Sequence, residues 1–113
     1  MRIESYGFGT ITIDGRTFTR DLKIIRGKVL PGWWRKEGHN LVPEDIEDVL
    51  AAGPDVLVVG TGHDGLMRLS PAVTIRLRDL GIELVARPTR QACDEFNRLS
   101  VDRDAAFAAH LTC

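Results

Sequence analysis

The sequence predicts one α/β domain over residues 1–113, with a mostly parallel central sheet, helices packed on it, and an additional N-terminal antiparallel β layer. Three observations carry this reading. Short alternating stretches fill the first third of the chain, a non-alternating apolar run "DVLVV" lies near its middle, and helical and strand patterns take turns from Pro43 onward. With 113 residues and 43% hydrophobic content, the chain has the size and composition of a soluble domain that buries a single core.

In "TITIDGRTF", Ile11 and Ile13 share a face, Asp14-Gly15 supplies the positive φ values of a type I′ turn, and Phe18 continues the return strand. "DLKIIRGKV" repeats the device, with Leu22 and Ile24 on one face and a turn at Gly27-Lys28. Together they predict a meander of short antiparallel strands. At Pro43 the period changes. Pro43 suits the first helical position, and Glu44, Asp45, Glu47 and Asp48 set negative charge at the positive end of the helix dipole. Ile46, Val49 and Leu50 form an i, i+3, i+4 stripe that Gly53-Pro54 stops.

"DVLVV" has the look of a central strand covered on both faces. Ser70-Pro71 opens the next helix, with Ser70 as N-cap and a stripe of Val73, Leu77 and Leu80 ending at Gly81. Ile82 to Ala86 is the next strand. Pro88-Thr89 opens a third helix, with Thr89 as N-cap and Ala92, Phe96 and Leu99 on the buried face. In "DAAFAAHLTC" the alanines favour helix, whereas Phe107, His110 and Leu111 suit a closing strand, the reading preferred here.

Several function classes are disfavoured by composition. A formal net charge of -1 offers no basic field for nucleic acid or an anionic membrane. No apolar run approaches the ~20 residues of a membrane span, and "MRIESYGFGT" lacks an apolar signal segment, so the expected location is cytoplasmic. Cys93 and Cys113 form no C-x-x-C pair and are expected as free thiols. His39, His63 and His110 are too dispersed for a metal motif. A nucleophilic Cys93 would need one of these histidines beside it and Asn97 to orient it; Cys93 flanks an apolar stripe and reads more simply as core.

Gly60, Gly62 and Gly65 carry the G-x-G-x-x-G spacing of a dinucleotide-binding turn. Its physical basis is missing: the helix starts only at Ser70-Pro71, which displaces its free amides from the glycines, and the following strand ends at Arg87 rather than an acidic residue. No Lys-Ser or Lys-Thr follows for a Walker loop, and no cofactor is expected. A sharp turn at the carboxyl end of a central strand remains, a place where open α/β sheets commonly hold small ligands. The candidate ligand residues are Gly60, Gly62 and His63, with Arg35, Thr89 and Asn97 near them in space.

"PGWWRKEGHN" has the most unusual local composition. On an extended segment Trp33 and Trp34 point to opposite faces, so one is expected in the core and the other at least partly exposed. Trp and Arg are over-represented in binding hot spots, which makes Trp33, Trp34 and Arg35 candidates for partner contact.

The motifs "WWRKEGH", "PEDIEDVLAAGPDVLVVGTGHDGLMRLSP", "LGIELVARPTRQACDEFNRL" and "AAFAAHLTC", taken in order, resemble a family of small domains. Its named members include the adipogenesis-associated domain protein and, distantly, a mitochondrial respiratory complex I assembly factor. The resemblance spans nearly the whole chain, and "VVGTG" with "PTRQACDEFNRL" is its most specific part. It implies a three-layer α/β fold with a mixed sheet and an added β layer. It also implies that the glycine loop is a family feature with no established cofactor. The family-like positions are Trp34, Arg35, Gly60, Gly62, Thr89, Ala92 and Asn97, none of them catalytic by this resemblance. The Trp33-Trp34-Arg35 segment and the absence of a complete catalytic constellation make the expected function a non-catalytic protein-binding or assembly module with an unknown protein partner. The alternative is a small-molecule or anion-binding protein, enzyme included, that uses the Gly60 to Gly65 loop.

Overall fold

A computed structural model describes all residues from 1 to 113. Strand β1 (Ile3–Gly7) pairs antiparallel with β2 (Thr10–Ile13), and β2 with β3 (Arg16–Phe18). Asp14 and Gly15 both take positive φ at the β2–β3 turn, which Asp tolerates and Gly, without a Cβ, adopts freely. A second hairpin, β4 (Leu22–Ile25) and β5 (Lys28–Pro31), turns at Arg26 and Gly27 in the same way. The expected meander is thus divided between two sheets, because the second hairpin joins the central one.

That central sheet contains β7 (Val56–Thr61), β9 (Glu83–Arg87) and β10 (Ala105–His110) as well, in the order β5-β4-β10-β7-β9. Two of its pairings, β10 with β7 and β7 with β9, are parallel; those of β10 with β4 and of β4 with β5 are antiparallel. The sheet is mixed in equal measure rather than mostly parallel. A minor parallel ladder joins β6 (Asn40–Leu41) to β8 (Arg68–Leu69).

Three layers result, with two apolar clusters in place of the single core expected. Leu22, Ile24, Val56, Val58 and Phe107 face the β1–β3 sheet and helix α3 (Thr89–Leu99), where Ile11, Ile13, Ala92 and Phe96 meet them. On the opposite face, Leu57, Val59, Ala106 and Ala108 meet Ile46 of a 3-10 turn (Pro43–Ile46), Val49 of α1 (Glu47–Ala52) and Val73 and Leu77 of α2 (Pro71–Asp79). The strands β7 and β10 are buried along their whole length, which is why neither alternates in sequence. The alanines of β10 suit close packing more than helix here: a Cβ placed on Gly60 of β7 would come within 3.2 Å of the Ala109 Cβ.

Three expectations about helix ends fail. Leu80 follows α2 and is exposed, since the helix ends before its stripe comes round again. Ser70 stands at the N-cap of α2, but its hydroxyl makes no capping bond and is buried without a partner. Thr89 is the first residue of α3 and not its cap; Pro88 holds that place. Gly53, by contrast, closes α1 in the left-handed conformation that glycine tolerates best.

Candidate functional site

The carboxyl ends of β7 and β10 lie side by side, with Thr61 in register with His110. Alternation along the two strands sends Gly60 and Ala109 toward α3, and Thr61 and His110 toward the face that holds the Trp33–Arg35 segment. One end of the sheet therefore carries two separate polar arrangements.

On the α3 side is the glycine turn. The Thr89 hydroxyl donates to the His110 carbonyl at 2.6 Å and accepts the Gly62 N–H at 2.9 Å. Gly60 is glycine for room, since a Cβ there would lie 2.8 Å from Thr89 Oγ1. Gly62 has φ +105°, and its missing side chain leaves room for the backbone of Thr112 and Cys113, which a Cβ would approach to 2.6 Å. His63 is exposed, with its Nδ1 3.3 Å from the Tyr6 hydroxyl and the Phe8 ring edge-on to it. Asn97 lies elsewhere, where its amide clips β1 by accepting the Ile3 N–H at 2.8 Å and donating to the Ile3 carbonyl at 2.7 Å. Of the six candidate ligand residues, Gly60, Gly62, His63 and Thr89 come together, while Arg35 and Asn97 do not join them.

On the other face, the Trp33–Arg35 segment alternates as an extended chain must. Trp33 and Arg35 are each 8% exposed, whereas Trp34 between them is 78% exposed. Trp33 is held at both ends: its backbone N–H donates to Asp21 O at 2.8 Å and its indole N–H to Asp45 O at 2.9 Å. Asp45, itself buried, accepts from the backbone N–H groups of Lys36 and Val42 and so anchors the far end of the segment. The Arg35 guanidinium stacks over the Trp33 ring at 4.6 Å and donates to Gly38 O.

The same guanidinium reaches Asp21 Oδ2 at 2.9 Å, and that oxygen lies 2.7 Å from His110 Nδ1. Asp21 Oδ1 accepts the Leu111 N–H at 2.8 Å. Burial raises the Asp21 pKa, but the hydrogen bonds from His110, Leu111 and Arg35 outweigh it and hold the carboxyl below its ordinary value. An ionised carboxylate only accepts, so the Nδ1 of His110 carries the proton. The approach of Arg35 Nη2 to that nitrogen, at 3.0 Å, is then a packed contact between two donors. His110 Nε2 is buried with no partner. The cluster joins the chain just before β4, the Trp33–Arg35 segment and the end of β10.

Sequence reasoning missed Asp21 and His110. A signal existed for His110, a polar residue inside the apolar run "AAFAAHL", although nothing nearby in sequence shows that its partner lies at position 21. Cys93 is buried as expected of a core residue, and burial with the neighbouring Asp94 pushes its thiol up to about 12, so it is not a thiolate at neutral pH. Both cysteines are free, and no helix is long and apolar enough to cross a membrane.

An open cleft of about 640 Å³ adjoins the segment, with Trp34, Trp33, Leu30 and the Lys23–Asp48 ion pair in its walls. The segment therefore has one face in the core and one beside a concave surface.

Comparison with known proteins adds the family. Residues 3–111 match the model of a protein family of unknown function, DUF498/DUF598. Among solved structures, the conserved hypothetical protein PH1505 from Pyrococcus horikoshii is similar at 31% identity over 100% of both chains, with a TM-score of 0.85. A protein described as an outer membrane protein from Bartonella henselae is 25% identical over 98% of this chain and 94% of its own, with a TM-score of 0.82. A Bordetella pertussis protein described as an Mth938-like domain is 22% identical over 97% of this chain and 85% of its own, with a TM-score of 0.68, and shares the fold. With its fold matched end to end and its sequence matched from Ile3 to Leu111, this chain belongs to the DUF498/DUF598 family.

Proposed function

We propose that this protein is a non-catalytic binding module that docks another protein through the Trp34 surface. The observation that carries this reading is the exposed Trp34 ring, mounted on a segment whose two neighbouring side chains, Trp33 and Arg35, are locked in the interior. A large aromatic on a rigid backbone loses little entropy on binding, and such residues dominate interface energetics. The cleft beside it supplies concavity for a partner.

A ligand on the Gly60 to Gly65 turn has less support. The Gly62 amide is taken by Thr89, and the space beside Gly62 by the Thr112–Cys113 backbone.

The test is affinity capture from the native host, quantified for wild type and Trp34→Ala. Loss of a central aromatic anchor weakens binding by about 2 kcal/mol or more, roughly thirtyfold in affinity. A partner set that is unchanged by Trp34→Ala would sink the reading.

A further inference from the structure

We propose that the outer edge of β5, with the groove beside it, is a strand-addition site for an extended acidic segment of a partner protein. This deepens the protein-binding reading and rests on it. β5 ends one side of the central sheet, with β4 as its one hydrogen-bonded neighbour, so a row of its peptide groups faces outward. The hairpin turn determines which. Arg26 (φ 51°) and Gly27 (φ 73°) make a two-residue turn with both residues left-handed, flanked by Ile25 and Lys28 as a hydrogen-bonded pair. Alternation then turns the N–H and C=O of Val29 and the C=O of Pro31 away from β4.

A groove runs beside this edge. The cleft of about 640 Å³ at Trp34 adjoins a second depression of about 560 Å³, floored by Ala51 and Ala52 of α1, and Leu30 and Asp48 line both. Backbone groups that pair with an incoming strand and seats for its alternate side chains are the two components of strand addition.

The charges name the occupant. Lys23 is paired with Asp48 at 2.7 Å and Lys36 with Glu44 at 3.6 Å. Arg26 donates to the neutral carbonyl of Ala52, and Lys28 joins no ion pair. At the Trp34 end Asp45 joins no ion pair either, its carboxylate being held by the N–H groups of Lys36 and Val42; the uncompensated positive charge lies at the hairpin end, with Arg26 and Lys28. A carboxylate on the incoming segment complements it. A second copy of this chain would bring the same cations, and an edge in which Pro31 has no N–H, so self-pairing is opposed.

Short random peptides displayed on phage, selected against the whole chain, test the proposal, with affinities of the winners read by fluorescence polarisation. The expected winners alternate apolar residues and carry a carboxylate. They bind roughly tenfold more weakly or worse to Lys28→Glu and to Val29→Pro. Val29→Pro removes an outward N–H and no bond of the ladder, and trims a part-buried side chain at the margin of the core, so its melting temperature falls only modestly; Lys28 is exposed, so Lys28→Glu keeps the test decisive if that proline disturbs folding. Uncharged or basic winners, no winners, or affinities indifferent to Lys28→Glu overturn the proposal. So does a dimer of this chain that Lys28→Glu dissociates, which would make a second copy the occupant. In the capture experiment, partner loss with Trp34→Ala but not with Lys28→Glu or Val29→Pro removes strand addition and leaves protein binding standing. Retention by all three variants removes both.

Discussion

The glycine turn and the Trp33–Arg35 segment meet the same end of the central sheet from opposite faces, and they differ in what they leave free. At the turn, the conspicuous residues are small because the chain itself fills the room: Thr89 lies against Gly60, and Thr112 and Cys113 against Gly62. Its polar groups satisfy one another through Thr89. In the segment, an equally polar arrangement joins the buried Arg35 and His110 to the part-buried Asp21, yet it fixes a backbone whose next side chain, Trp34, stands in solvent beside a cleft. A glycine pattern reports where backbone must pass closely, which is a statement about space and not about a ligand. An aromatic that the fold leaves outside while burying both of its neighbours is stronger grounds for a binding surface.

The largest test of this contrast is Arg35→Ala. It strips a buried guanidinium from a part-buried pair and leaves the Asp21 carboxylate with fewer donors, so unfolding by urea should show a loss of about 3 kcal/mol. A loss under about 1 kcal/mol would mean that the cluster does not hold the segment. Next comes Gly62→Ala, where a Cβ meets the Cys113 carbonyl at 2.6 Å on a backbone with φ +105°. About 2–3 kcal/mol of destabilisation is expected, without a selective effect on partner capture. Wild-type stability with Ala at this position would show the turn to be open after all.

A smaller effect follows from pH. The Asp21 pKa is lowered on folding, so its contribution is fully present above the ordinary carboxylate value and is lost as pH falls through the folded value. The stability gap between wild type and Asp21→Asn should therefore be constant near neutrality and narrow from about pH 4 downward. A gap that stays the same to pH 2 would remove the carboxylate's charge from the account. Smallest of all in stability is Trp34→Ala, expected within about 0.5 kcal/mol of wild type, because a side chain this exposed contributes little to the core. A large drop in melting temperature would show Trp34 to be structural and blur the line between the two regions.

Much of the local structure was legible in the residues. Asp14-Gly15 placed a turn, Gly53 ended a helix, Ala92, Phe96 and Leu99 identified the buried face of α3, and the adjacent tryptophans had to divide between inside and outside. The candidate site was legible only in part. The Trp33–Arg35 segment stood out, but Asp21 lies 14 residues from Arg35 and 89 from His110, and neither separation has a sequence signature.

Turn positions, the alternation of strands and the apolar stripes of helices each depend on a few neighbouring residues and can be read from the chain alone. These follow from a side-chain period of 2 or 3.6 and from local backbone sterics. Other features emerge with the completed fold: the alanine-rich last strand lies in the middle of the sheet between β4 and β7, Thr89 serves Gly62 and the His110 carbonyl in place of a helix cap, and Asp21, Arg35 and His110 form one cluster. Strand pairing and buried hydrogen bonding are settled by long-range packing, where a polar group can take only a partner that the completed fold brings within reach.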